Sequence, residues 1–170
     1  MLTTTKPTII GPTDGESVTL QTVGVRFMIA GADTDSRLSL VEHPMPARAL
    51  AAPLHRHSRE DEYSFVLEGR VGALLGDEVV YGEPGDLIFK PRGQWHTFWN
   101  AGDEPARILE IISPAGFERY FAEMVELLEA GPPDPSALAA VAARHGLEVD
   151  RDSIPRLTAE YGLQFGAATR

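Results

Sequence analysis

Apolar and polar positions alternate with a period of two over Val23, Val25, Phe27 and Ile29, inside a stretch from Ser17 to Ala30 that is rich in β-branched and aromatic residues. That is the pattern of a strand with one buried face. Turn chemistry from Gly31 to Ser36 separates it from a shorter strand over Arg37 to Glu42, and the two predict a hairpin. Pro44, Pro46 and Pro53 then bracket a segment that should not hold a central ladder, because proline lacks a backbone donor; a loop is expected there. Further on, Arg70 to Leu75 and Val79 to Tyr81 flank a Gly76-Asp77-Glu78 turn and read as a second hairpin. Leu87 to Phe89, Trp95 to Trp99 and Arg107 to Ile112 are three more short strands. In the second of these, alternation puts His96 and Phe98 on one face and Trp95, Thr97 and Trp99 on the other. Many short strands punctuated by Gly, Pro, Asn and Asp predict a mainly β fold, a barrel or sandwich of jelly-roll type.

The period changes at Ser113. Ser113-Pro114 resembles an N-cap and first-turn pair, and Phe117, Tyr120, Phe121, Met124, Leu127 and Leu128 fall on one helical face that ends at Gly131. Packing against the barrel is the expected role of this face, ahead of a lid over its mouth. Asp134-Pro135 opens a second helix through Ala137 to His145, and Ile154 to Tyr161 suggests a third. The expected organisation is an N-terminal arm over 1–16, a barrel over 17–113 and a C-terminal helical extension over 114–170 packed on the barrel. With 170 residues the chain fits one structural domain.

Composition narrows the partners. A formal net charge of −10 would repel a phosphate backbone or an anionic membrane surface, so nucleic acid and membrane are not expected partners. The absence of cysteine excludes disulfides and thiolate ligands, leaving metal binding to His, Asp and Glu. No apolar run has the length of a signal peptide or a membrane span, and a cytoplasmic location is the expectation.

The chemistry gathers in two stretches. In Pro53 to Gly69, His55 and His57 stand two apart on a strand and share a side, so both can reach one ion. Glu62, five residues beyond His57, would face outward in an unbroken strand, so Ser58 to Asp61 must turn or bulge the chain. Glu60 and Asp61 compete for the carboxylate role, with Glu62 preferred. His96, from the stretch Gly85 to Asn100, would complete a set of three imidazoles and one carboxylate. Such a set suits one divalent transition metal (Fe, Mn, Ni, Cu, Co or Zn) and leaves one or two positions open for chemistry. Ser64, Val66 and Phe98 share faces with these residues and are the candidate substrate-pocket positions, while Tyr63 and Phe65 should point into the opposite layer. Trp95 and Trp99 are read as packing or interface residues, and His43 and His145 as lying outside the metal site.

These stretches resemble the two motifs of the cupin superfamily. In the first, His55, His57, Glu62 and Gly69 match, and the leading glycine position is Ala49. In the second, Gly85, Pro91, Gly93, His96 and Asn100 all match. The resemblance covers roughly the middle half of the chain and is nearest to small single-domain bacterial cupins of the quercetin-dioxygenase-like kind. It implies a double-stranded β-helix, a homodimer and a mononuclear metal held by His55, His57, Glu62 and His96. It also implies a dioxygenase-like oxidoreductase that directs O2 onto a small organic, enolic or aromatic substrate, with Glu62 serving as ligand and as a base when it detaches. The alternatives are a redox-neutral metal-dependent isomerase, lyase or decarboxylase, and a non-catalytic small-molecule binder.

Overall fold

In the computed structural model, which describes residues 9–166, the strands form two antiparallel sheets. The first is six-stranded, in the order β1 (Ser17–Leu20), β2 (Val23–Ile29), β3 (Ser39–Met45), β10 (Ala106–Ser113), β5 (Asp61–Glu68) and β8 (Leu87–Lys90). The second is five-stranded, in the order β11 (Leu147–Asp150), β4 (Leu54–His57), β9 (His96–Asn100), β6 (Val71–Leu75) and β7 (Glu78–Gly82). Three helices, α1 (Glu118–Glu129), α2 (Pro135–Arg144) and α3 (Ser153–Tyr161), follow the barrel strands. The architecture is a jelly-roll barrel, mainly β with C-terminal helices, as the strand pattern predicts. Among the described residues no helix is long and apolar enough to cross a membrane. The first half of the expected arm, residues 1–8, lies outside the described residues.

Strict alternation builds the interior. On β10, Ala106, Ile108, Glu110 and Ile112 are buried while the residues between them are half-buried. On β5, Glu62, Ser64 and Val66 turn inward. Val66, Val71, Ala73, Ile88, Phe98 and Ile108 pack together between the two sheets and form the main core.

Several expectations are corrected. The segment from Ser17 to Ala30 is two strands, not one, because Gln21 takes a left-handed conformation (φ 57°) and turns β1 back onto β2. The strand expected to end at Glu42 continues through Pro44 to Met45, between β2 and β10. Proline is tolerated there because its ring packs against Gly24 of β2, where a Cβ would come within 3.1 Å. The Gly24 carbonyl accepts from His43 Nδ1 (3.0 Å), so a side-chain donor serves a stretch where proline has no N–H to offer. Tyr63 and Phe65 meet no opposite layer: they lie on the outer face, where Tyr63 stacks on Phe89 at 4.9 Å and Phe65 is exposed. The first helix begins at Glu118, not at Ser113-Pro114, and Phe117 packs into the core just ahead of it. The second helix begins as expected, with Asp134 Oδ1 accepting from Ser136 N (2.7 Å) and Pro135 in the first turn.

Beyond Gly146 the sequence reading expected no strand, yet β11 pairs with β4, setting Leu147 against His57 and Val149 against His55. α3 packs on the outside of β9, where Leu157 and Leu163 meet Leu50, Leu74 and Trp99, and the Trp99 ring stacks on Tyr161 at 4.6 Å. Both faces of β9 are therefore buried.

Asn100 ties the turn after β9 to the loop after β3. Its Nδ2 donates to the carbonyls of Met45 (3.2 Å), Pro46 (3.0 Å) and Glu104 (2.8 Å), and its Oδ1 accepts from Gly102 N (2.8 Å). Asn100 is fully buried, so Asn100→Ala would strand several of these backbone groups away from water. We expect it to lower unfolding free energy by roughly 2–4 kcal/mol, measured by chemical denaturation; a loss below ~0.5 kcal/mol would show that the network carries no stability.

Candidate metal centre

β4 presents His55 and His57 on one face, and the neighbouring β9 sets His96 directly opposite His55. Glu62 arrives from the other sheet, on β5. The odd spacing between His57 and Glu62 thus has a larger cause than a bulge: Ser58 to Glu60 carry the chain from one sheet to the other. All four residues are buried, and one potential ligand atom from each lies within 4.8 Å of the others. The His55 and His96 ring centroids are 4.4 Å apart, and the His57 and His96 rings lie nearly parallel at 5.4 Å.

Hydrogen bonds set the tautomers of two imidazoles. His55 Nδ1 lies 2.8 Å from the Pro53 carbonyl and His96 Nδ1 lies 3.0 Å from the Gln94 carbonyl. A carbonyl can only accept, so each ring carries its proton on Nδ1 and offers an Nε2 lone pair. His96 Nε2 and both nitrogens of His57 are buried without a hydrogen-bond partner. Meanwhile Glu62 Oε2 lies 3.3 Å from His96 Nε2, and Glu62 Oε1 lies 3.4 Å from His57 Nε2. At His96 a lone pair faces a carboxylate, which is repulsive unless a cation stands between them. The residues present therefore fit a divalent transition metal, with three nitrogen donors and one oxygen donor.

The surrounding charges agree. Burial, then the neighbouring His96 and His57, hold the His55 imidazole well below its usual pKa, and burial does the same to His96. Burial alone would raise the Glu62 carboxyl, but Lys90, His57 and His96 outweigh it and hold Glu62 well below the usual carboxylate range. Imidazole nitrogens from three histidines and one ionised carboxylate form a donor set suited to an ion. Of the competing carboxylates, Asp61 is engaged by Arg92, which donates to it from Nη2 (2.7 Å) and from its backbone N (2.9 Å). Glu60 Oε2 stands 3.7 Å from His57 Nδ1, beyond hydrogen-bond length, on the side of that ring away from Glu62.

Two groups that sequence reasoning missed complete the interior. Lys90, on β8, is fully buried; its Nζ donates to Glu110 Oε2 (2.8 Å), lies 3.0 Å from Glu62 Oε2 and sits 4.4 Å from the Phe98 ring centroid. Glu110, on β10, also accepts from Ser64 Oγ (2.7 Å), and its Oε1 has no partner. One buried ammonium cannot neutralise two carboxylates. Glu62 remains ionised, and burial pushes Glu110 up to about 7 against the pull of Lys90. Both residues fall on the otherwise apolar phase of their strands, next to Ile88 and between Ile108 and Ile112, and that break in the alternation is the signal that could have found them.

A cavity of about 80 Å³ reaches this interior. His43, His55, Glu62, Glu110 and Phe98 line its floor, and Phe117, Tyr120, Phe121 and Met124 form a wall at α1. Phe98 lines this cavity, while Ser64 and Val66 face the interior, Ser64 bonded to Glu110 and Val66 packed in the core. The α1 face both packs on the barrel and walls the cavity. Trp99 is core, and Trp95 lies under the Arg56 guanidinium at 5.0 Å. His145 is bonded to Glu123 (2.9 Å), apart from the cluster.

A jelly roll of two antiparallel sheets with a buried three-histidine, one-glutamate cluster defines a small barrel with a candidate metal site. Residues 42–112 match the cupin domain family, and the fold around them is a jelly-roll barrel of the cupin kind. Over 60 residues, 35% of this chain, it is 37% identical to the tetracenomycin polyketide synthase protein TcmJ of Streptomyces glaucescens. The chain spans only 40% of TcmJ and 58% of a second relative. Among solved structures it resembles the polyketide cyclase RemF of Streptomyces resistomycificus, with 28% identity, a TM-score of 0.54 and coverage of 64% of this chain and 80% of RemF. It also resembles KdgF from Halomonas sp., with a TM-score of 0.59 and coverage of 67% of this chain and 99% of KdgF; at 16% identity that likeness concerns the fold.

Two predictions follow from this geometry. His96→Ala should lower the stoichiometry of bound transition metal in elemental analysis while the barrel's circular dichroism persists; full occupancy would remove His96 from the ligand set. For the metal-free protein, His43 (lowered from 6.5 to about 4), His55 and His96 all have folded-state pKa values below their unfolded ones. Below pH 6.5 the unfolded chain then binds more protons than the folded one, and stability falls as pH falls. Glu110, raised from 4.5 to about 7, works in the opposite sense between those values and offsets one histidine. Chelator-treated protein should therefore melt at lower temperature near pH 5 than near pH 7.5, with a slope of at most about 1.4 kcal/mol per pH unit for each uncompensated histidine.

Proposed function

We propose that this chain is a metal-dependent enzyme that moves a proton on a small, largely apolar, carbonyl-bearing substrate without net redox change. The observation that carries this reading is Glu110, a carboxyl that lines the cavity near the metal cluster and that burial pushes up to about 7. His55, His57, Glu62 and His96 hold the ion in this reading. A divalent ion bound there would supply Lewis acidity to a substrate oxygen or, if redox-active, the electron chemistry that O2 addition needs.

The chain's own groups do the rest. Lys90 donates to Glu110 Oε2 and lies 3.0 Å from Glu62 Oε2, which leaves the unpartnered Glu110 Oε1 as the oxygen able to hold or release a proton. Phe98, Phe117 and Phe121 exclude water and give a flat substrate aromatic surfaces to lie against. The likeness to TcmJ and RemF, whose names place them in polyketide synthesis and cyclisation, supports a carbonyl-rich, aromatic or enolisable substrate.

The second reading is a dioxygenase-like oxidoreductase, favoured by the apolar cavity with aromatic walls, which suits a flat enolic or catechol-like molecule together with O2. The deciding experiment pairs elemental analysis with oxygen uptake and solvent-deuterium incorporation into a panel of aromatic ketones and β-dicarbonyl compounds. Bound metal with deuterium exchange and no oxygen uptake supports proton transfer; uptake stoichiometric with product supports the second reading. A purified protein that takes up no metal on reconstitution would overturn both in favour of a binding role. Glu110→Gln should lower turnover about 10²- to 10⁴-fold with metal content unchanged, whereas undiminished turnover would remove Glu110 from the chemistry.

A further inference from the structure

His43 stands outside the metal cluster, on β3, separated from Glu62 by the intervening strand β10. It is buried, packed edge-on to Phe121 (5.4 Å) and tilted against Phe98 (6.0 Å), and it lines the cavity. Its Nδ1 is held by the Gly24 carbonyl at 3.0 Å, so the ring proton is on Nδ1 and Nε2 carries a lone pair. No protein donor among the described residues bonds that Nε2, and it is not sealed from the cavity as the unpartnered His57 and His96 nitrogens are. The nearby ammonium, Lys90, is already shared between Glu62 and Glu110. A fixed acceptor in an aromatic-walled cavity, left without a donor by its own protein, is complemented by a donor on the ligand.

We propose that His43 is a second substrate-binding group, accepting at Nε2 a hydrogen bond from a ring hydroxyl of a flat molecule whose carbonyl oxygen lies at the metal cluster. The placement of the carbonyl rests on the metal-dependent reading above; the hydroxyl contact does not. The pocket then selects for two oxygen functions on opposite sides of one aromatic frame. Burial, which lowers the imidazole to about 4, keeps it a neutral acceptor throughout the physiological range. A ligand lacking the hydroxyl leaves the acceptor unpaired and is discriminated against.

The test compares binding of acetophenone and 4′-hydroxyacetophenone by calorimetry, to metal-loaded and to chelator-treated protein, for the native chain, His43→Asn and His43→Gln. Asparagine keeps a donor near the Nδ1 position and so the bond to Gly24, but has no acceptor where Nε2 was; glutamine returns a polar atom there. The native protein should prefer the hydroxylated probe about tenfold in both metal states. His43→Asn should bind both probes alike with an unchanged melting temperature, and His43→Gln should regain part of the preference. In ¹⁵N-labelled native protein the His43 Nε2 resonance should move upfield on addition of 4′-hydroxyacetophenone and not of acetophenone. An undiminished preference for the hydroxylated probe in His43→Asn, an unmoved resonance, or no binding of either probe to the native chain would overturn the proposal. Binding of both probes that is indifferent to metal loading, with the hydroxyl preference intact, would instead sink the placement of the carbonyl and leave the His43 contact standing.

Discussion

The interior of this barrel is organised by the burial of one positive charge. Lys90 has no exposed surface, and an ammonium taken out of water costs several kcal/mol unless charged partners surround it. Its partners are Glu62 and Glu110, at 3.0 and 2.8 Å, from the two strands next in order to β8 across the sheet. That arrangement couples the candidate metal site to the rest of the pocket. Lys90 holds Glu62 ionised and oriented toward the imidazoles, and because one cation cannot satisfy both carboxylates, Glu110 is left as the proton-holding member.

The barrel makes this constellation by letting each sheet supply a different part. The five-stranded sheet carries the imidazoles on β4 and β9, and the six-stranded sheet carries Glu62, Lys90, Glu110 and His43. The site therefore exists only when the two sheets face each other. The tail reinforces this: β11 pairs along the whole of β4, α3 buries the outer face of β9, and Phe117 packs edge-on to the His57 ring at 4.3 Å. Residues after the barrel strands thus hold the histidine strands from the outside and wall the cavity at its mouth.

The chemistry available follows from how few polar groups reach the cavity floor. Beyond the metal cluster the polar lining residues are Glu110, His43, held as an acceptor by Gly24, and Gln21, Tyr120 and Arg151. Aromatic and apolar side chains make up most of the remainder, so substrate choice depends on shape and on a small number of oxygen contacts. Cupin barrels support many reactions for this reason: the scaffold and ion site are common property, and single pocket positions differ.

Local pattern in the chain determined the strand-rich class, the two motifs, and the grouping of His55, His57, Glu62 and His96, because strand periodicity and ligand spacing are short-range properties of the sequence. The helix opened by Asp134-Pro135 was legible through its cap, and the third through the stretch Ile154 to Tyr161 that ends at Gly162. Position in three dimensions decided the rest. Pro44 could sit in a central strand because a glycine on the neighbouring strand makes room for its ring, and β11 became a strand because β4 offered it an edge. Along the chain Lys90 and Glu110 show only as polar breaks in an apolar alternation and His43 shows no signal, since their roles come from partners distant in sequence. Only closure of the barrel turns three isolated polar residues into a buried ion pair, a proton-holding carboxyl and a fixed acceptor, because only closure removes the water that would otherwise satisfy them.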